Sequence, residues 1–131
     1  MTLETRIERA RQLRKDGYNC AQCVLMVFDD IAGLPREALE KISAGFGTGF
    51  GGQGHVCGAV SGMTVINGLT GFRSPADKAA TYRQVTADSA AFTQLNGSVV
   101  CRELKKPGRK PCMDLIIDAV TIIHNRLTPA E

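Results

Sequence analysis

The sequence lacks tryptophan and has only two Tyr and five Phe, too few for the stacking platforms that bind single-stranded nucleic acid. Its net charge of +3 is small and scattered, which also argues against a nucleic-acid partner. It has no apolar run long enough for a membrane helix, so we expect no membrane insertion. Residues 1–17 are charged throughout and lack the apolar core of a secretory signal, so we expect a cytoplasmic location.

The composition is that of one folded domain. The chain has 131 residues, of which 44% are hydrophobic and 22% are charged. Apolar residues recur at helical spacing, and no segment alternates as a strand would. We therefore predict an all-α fold with a single domain over residues 1–131, a compact bundle of about five to seven helices.

Helix-capping residues and glycines set the predicted boundaries. Asn19 is a good N-cap for a helix that begins at Cys20, and Pro35 and Pro111 suit the first turns of two others. The predicted helices are, in order, residues 3–15, 20–31, 35–44, 56–69, 74–95, 98–104 and one that begins at 111. In the first of these, the Arg and Glu residues are expected to face solvent.

Residues 45–54 hold six of the 14 glycines and are predicted to form a loop, because each Gly costs about 1 kcal/mol against Ala inside a helix. The loop matches G-x-G-x-x-G but follows a helix instead of a strand, so we predict no dinucleotide. Gly-rich backbone can approach a thiol, an anion or a cofactor closely. The candidate cofactor contacts are Gly51, Gly52, Gly54 and Gly58. The helix that follows is small and apolar all round, so it is expected to be buried, with Gly58, Ala59 and Gly62 on a tight-packing face.

Four of the five cysteines fall at predicted helix N-termini: Cys20, Cys57, Cys101 and Cys112. Unpaired N–H groups and the positive end of the helix dipole stabilise a thiolate there, and the thiolate is the form that attacks disulfides and binds metals. In a chain without an export signal, thiols, metal ligands or redox groups are expected before structural disulfides. We predict that these four side chains meet at one end of the bundle.

Three further side chains are left with open roles. Cys23 lies one turn inside its helix and favours core packing, although helix-start geometry also permits a Cys20–Cys23 disulfide. His55 is a candidate metal ligand or proton acceptor for Cys57, or an exposed loop histidine. His124 is expected to be solvated or hydrogen-bonded in the core. The basic segment 105–110 is predicted to be a solvated turn, and its positive charge would favour nearby thiolates.

The order of these motifs resembles a known family. Gly17-Tyr18-Asn19-Cys20, the run from Cys57 to Gly62, Cys101 and Cys112 together look like the C_GCAxxG_C_C family of small bacterial and archaeal proteins. The resemblance implies a helical fold and a redox or metal role for those four cysteines, without a known reaction. Cys23 falls where many members have a small apolar residue. A related domain occurs in split-Soret-type cytochromes, but the haem motif C-x-x-C-H is absent here, so no haem is predicted.

Our first functional hypothesis is a cysteine-based redox protein. The four thiols either exchange disulfides or bind a metal ion or iron–sulfur centre, and whether the protein is an oxidoreductase enzyme stays open. In the thiol version Cys57 is the expected nucleophile, and Cys20, Cys101 or Cys112 resolves the mixed disulfide formed with an unknown redox partner. The alternatives are a non-catalytic metal-binding module and a homo-oligomeric interaction module, in which the Gly/Ala face of the central helix packs on a second subunit.

Overall fold

The computed structural model describes residues 1–128 and is built of α-helices. The elements are α1 (Leu3–Lys15), α2 (Cys20–Met26), α3 (Arg36–Ser43), α4 (Gly47–Phe50), α5 (Gly58–Gly71), α6 (Lys78–Asn96), α7 (Cys101–Leu104) and α8 (Cys112–Leu127). Short 3-10 turns occupy Ala44–Phe46 and Pro75–Asp77. Because α4 is a single distorted turn, seven regular helices remain in the described part of the chain, and the predicted all-α class is confirmed.

The predicted helix starts agree with the structure to within a few residues. Asn19 caps α2 in a reciprocal capping box: its side chain accepts from the Gln22 N–H at 2.9 Å, and its own N–H donates to Gln22 Oε1 at 3.0 Å. Pro35 and Pro111 are the N-cap residues of α3 and α8. The predicted end of α2 is wrong, since the helix stops at Met26 and tight turns lead to residue 33.

The central helix α5 packs most extensively against α2, at positions where no side chain would fit. A Cβ on Gly62 would lie 2.9 Å from Val24 Cβ and 3.0 Å from the Ala21 carbonyl oxygen, and a Cβ on Gly58 would collide with α2 as well. The predicted tight-packing face is therefore confirmed. Its occupant is α2 of the same chain, so the hypothesis that this face packs on a second subunit is wrong.

A buried arginine joins α1 to the rest of the core, contrary to the expectation that the arginines of α1 face solvent. Arg6 is fully buried and pairs with both oxygens of Asp30, at 2.7 and 3.0 Å. Its Nε donates to Nδ1 of His124 in α8 at 3.0 Å, so His124 is a hydrogen-bonded core residue. The hydrogen bond from Arg6 lowers the pKa of Asp30, which keeps the carboxylate charged beside the buried cation.

No helix within residues 1–128 is both long and apolar enough to cross a lipid bilayer.

The contact between α2 and α5 can be tested with two glycine substitutions on the same helix. We expect Gly62→Ala to destabilise the protein by about 1–3 kcal/mol, because the added methyl group must push α2 away. Gly68→Ala is the matched control: a Cβ there meets no atom within 4 Å. The control should stabilise the protein by up to about 1 kcal/mol through helix propensity alone. Urea unfolding measures both, and equal effects would contradict the packing argument.

Candidate functional site

Four cysteines from four separate segments line one small pocket, which we call the thiol pocket. Cys20, Cys101 and Cys112 are the first residues of α2, α7 and α8, and Cys57 is the N-cap residue of α5. The remaining lining residues are Leu104, Lys105 and Leu115. The predicted convergence of four helix-terminal thiols is therefore present in the fold.

Two backbone hydrogen bonds bring Cys57 and Cys101 together. Val56 and Val100 form an isolated antiparallel bridge. Beside it, the Cys57 N–H donates to the Val99 carbonyl at 2.7 Å and the Cys101 N–H donates to the His55 carbonyl at 2.6 Å. Each cysteine directly follows a bridge residue, so the bridge fixes where α5 and α7 begin and, with them, the positions of both thiol-bearing residues.

Glycines allow the chain to pack closely around these sulfurs. A Cβ on Gly58 would collide with Cys20 Sγ, so this predicted cofactor contact serves the close approach of a thiol. Gly49, which the sequence analysis did not single out, has φ +68, and a Cβ there would lie 2.7 Å from Cys101 Cβ. None of the four candidate glycines lines the thiol pocket itself. Gly51 and Gly52 are exposed, and Gly54 packs on the Arg102 side chain.

The thiols differ in their exposure to solvent. Cys20, Cys57 and Cys101 are nearly buried, with 8%, 4% and 5% of their surface exposed, whereas Cys112 is partly exposed. The burial of Cys57 argues against its expected role as the nucleophile. Cys112 is the most accessible of the four thiols.

Burial also determines the protonation of two of the thiols. Desolvation raises the pKa of Cys57 to about 11, although the backbone amides of Ala59 and Val60 act in the opposite direction. Desolvation likewise raises the pKa of Cys101, and the Lys105 ammonium partly offsets the effect. The amides at the start of α5 therefore lower the pKa of Cys57, as expected at a helix N-terminus, but desolvation raises it by more.

Cys23 and His55 take no direct part in the thiol pocket. Cys23 is fully buried, and its Sγ lies 3.7 Å from the Tyr18 carbonyl oxygen, in agreement with the core-packing interpretation. Burial raises its pKa to about 12. The His55 ring is exposed and stacks on Phe50, with the ring centroids 6.4 Å apart, and it is the His55 backbone that contacts Cys101.

The arrangement of these side chains favours free thiols over a bound metal cluster. In residues 1–128 all five cysteines are free, and no three His, Cys, Asp or Glu side chains are grouped as metal ligands. The cavity between the thiols measures about 10 Å³, which is room for about one water molecule. The cysteine side chains would therefore have to move apart to hold a multi-iron cluster.

Comparison with known proteins gives one family match. The family model described as "Putative redox-active protein (C_GCAxxG_C_C)" matches residues 18–126. The chain is also similar to a protein of Archaeoglobus fulgidus named "Uncharacterized protein", with 26% identity over 137 residues and 91% of each chain covered. No solved structure matches the chain significantly.

The raised pKa values predict that the free energy of unfolding falls in alkaline solution. Unfolded thiols ionise near pH 9, whereas folded Cys57 and Cys23 stay protonated to about pH 11 and about pH 12. Between these limits the unfolded state releases protons that the folded state keeps. Each of the two thiols then lowers stability by up to about 1.4 kcal/mol per pH unit.

Urea unfolding under reducing conditions from pH 8 to pH 11 measures this slope. Cys57→Ala and Cys23→Ala should each make the slope less steep than in the wild type, because one buried thiol is removed. An unchanged slope in both variants would contradict the assignment.

Proposed function

Because the chain belongs to the C_GCAxxG_C_C family, we propose that its thiol pocket exchanges disulfides with a redox partner. The observation that carries this proposal is the lining of one pocket by four thiols from four distant segments. Exchange needs two thiols within bonding reach of each other and one that a partner can contact. The partial exposure of Cys112 supports the second condition, and the shared pocket of Cys101 and Cys112 supports the first.

In the proposed reaction Cys112 is the nucleophile and Cys101 resolves the intermediate. The Cys112 thiolate attacks one sulfur of the partner's disulfide, forms a mixed disulfide and releases the first partner thiolate. Cys101 then loses its proton and attacks the Cys112 sulfur, which releases the second partner thiolate and leaves a Cys101–Cys112 disulfide. Two protein thiols are oxidised, one external disulfide is reduced, and the two protons pass to the released thiolates.

Lys105 supports the role given to Cys101. Lys105 lines the thiol pocket, and its ammonium group lowers the pKa of Cys101 against the effect of burial. No other residue with a charged side chain is found among the described residues that line this pocket. The charge therefore helps the resolving thiol to lose its proton once Cys112 is linked to the partner.

Cys20 and Cys57 form the deeper pair in this proposal. Cys20 lies near enough to raise the pKa of both Cys57 and Cys101. Internal exchange with the Cys101–Cys112 disulfide would oxidise Cys20 and Cys57 and return the outer pair to thiols. The pocket would then store a second pair of electrons.

Single cysteine variants test the two roles. With 2-hydroxyethyl disulfide as the oxidant, Cys112→Ser should react at least about tenfold more slowly, because the remaining pocket thiols are buried. Cys101→Ser should accumulate the mixed disulfide on Cys112, which intact-protein and peptide mass spectrometry identify. The matched control is Cys23→Ala, which removes a buried thiol outside the pocket and should react like the wild type. Wild-type rates in Cys112→Ser would contradict the proposal.

A metal-binding function is the second candidate, because four cysteines line one pocket and four thiolates can hold zinc or an iron–sulfur centre. Since the side chains are not grouped as ligands, we expect protein purified without oxygen to contain well below one equivalent of iron or zinc. Elemental analysis and absorption spectra measure this content. A full equivalent that disappears in Cys112→Ser and persists in Cys23→Ala would replace disulfide exchange by metal binding.

A further inference from the structure

A second cavity adjoins the thiol pocket and carries no assigned role. It measures about 300 Å³, the lower end of the range for small-molecule sites. Leu104 and Leu115 line both cavities, so these two side chains form the shared wall. Asn96, Gly97, Arg109 and Lys110 are among the residues around the rest of the larger cavity. We call it the basic cavity.

The cations of the basic cavity are held in place. Arg109 Nη1 donates to the Asn96 backbone carbonyl at 3.0 Å, at the C-terminal end of α6. Gly97 leaves space for this arginine, since a Cβ there would lie 3.3 Å from Nη1. Lys110 Nζ contacts Asp118 at 3.0 Å. Because this hydrogen bond anchors the Arg109 side chain, its other N–H groups are held in place for a ligand. Binding then costs little further side-chain entropy.

The lining carries charge of one sign. No Asp or Glu is among the described residues that line the basic cavity. Asp118 neutralises Lys110, so the charge of Arg109 is the one left for a ligand. A planar guanidinium with free N–H groups matches a carboxylate, which it can bind through two parallel hydrogen bonds.

Asn96 is fixed by its own hydrogen bonds. Its side-chain nitrogen donates to the Phe92 carbonyl and to Asp118, both at 3.2 Å. Its side chain is buried, and its backbone carbonyl is the group that anchors Arg109. The partner that holds the arginine is therefore itself held in place.

We propose that the basic cavity binds the carboxylate end of a small organic disulfide and places its sulfur beside Cys112, the partly exposed thiol of the thiol pocket. The proposal rests on the disulfide exchange proposed above and names the substrate class for it. Arg109 binds the carboxylate, and the chain of the ligand passes over Leu104 and Leu115 toward Cys112. The covalent steps are those already described: two protein thiols become a disulfide and the ligand leaves as two thiols.

The test compares two disulfides that differ in charge alone. N,N′-diacetylcystine carries two carboxylates and two amide N–H groups, and its bis-methylamide is neutral. Oxidation of the protein by each is followed by mass spectrometry, and each rate is divided by that of 2-mercaptoethanol with the same disulfide. We expect the wild type to favour the acid by at least about fivefold, because an anchored guanidinium selects carboxylates.

Two charge-removing variants in the same basic segment distinguish binding in the basic cavity from a general effect of positive charge. Arg109→Gln should slow the reaction with the acid by about five- to tenfold and leave the rate with the bis-methylamide unchanged. Lys106→Gln removes an exposed charge that does not line the cavity, and it should change either rate by less than about twofold. Arg109→Lys keeps the charge but not the planar guanidinium, so its rate with the acid should lie between those of the wild type and Arg109→Gln. This variant also controls for a folding defect. Equal losses in Arg109→Gln and Lys106→Gln would overturn the proposal.

A ligand without sulfur distinguishes failure of the cavity from failure of the exchange reaction. N-acetylalanine has the same carboxylate, and in the wild type it should shift the amide NMR signals of Gly97 and Gly108, two glycines that line the basic cavity. In Arg109→Gln the same ligand should leave both signals unchanged. These shifts without oxidation by either disulfide would support the cavity and refute disulfide exchange. Exchange without a preference for the acid and without these shifts would refute the cavity and leave disulfide exchange standing.

Discussion

The close approach of α2 to α5 is the constraint on which the thiol pocket depends. Gly58 and Gly62 leave no side chain between the two helices, so α2 lies directly on the backbone of α5. Cys20 begins one helix and Cys57 precedes the other, and their separation is therefore set by backbone contact. A side chain at Gly58 would occupy the place of the Cys20 sulfur. The same glycine contact that lets the two helices pack thus also positions the Cys20 sulfur.

The site also shows how burial competes with helix electrostatics. The amides at the start of α5 favour an anionic sulfur at Cys57, and Lys105 does the same for Cys101. Removal of water opposes both and is the larger effect, so these two thiols are protonated at neutral pH. Protonated thiols react slowly with oxidants, so burial lowers the reactivity of Cys57 and Cys101.

Much of the helical framework was predictable from local chemistry. Asn19, Pro35 and Pro111 start helices through capping and fixed φ, effects that act within a few residues. The placement of the four cysteines at helix starts followed from the same signals. The bridge between Val56 and Val100 had no sequence signature, because a single residue pair shows no alternation. The burial of Arg6 and Cys57 depends on distant partners, which local patterns do not contain.

The residues of the thiol pocket extend from Cys20 to Cys112, so most of the chain separates its first member from its last. During synthesis the first cysteines leave the ribosome well before α8 can dock, and until then no pocket exists to shield them. Premature linkage of the early thiols would compete with correct assembly.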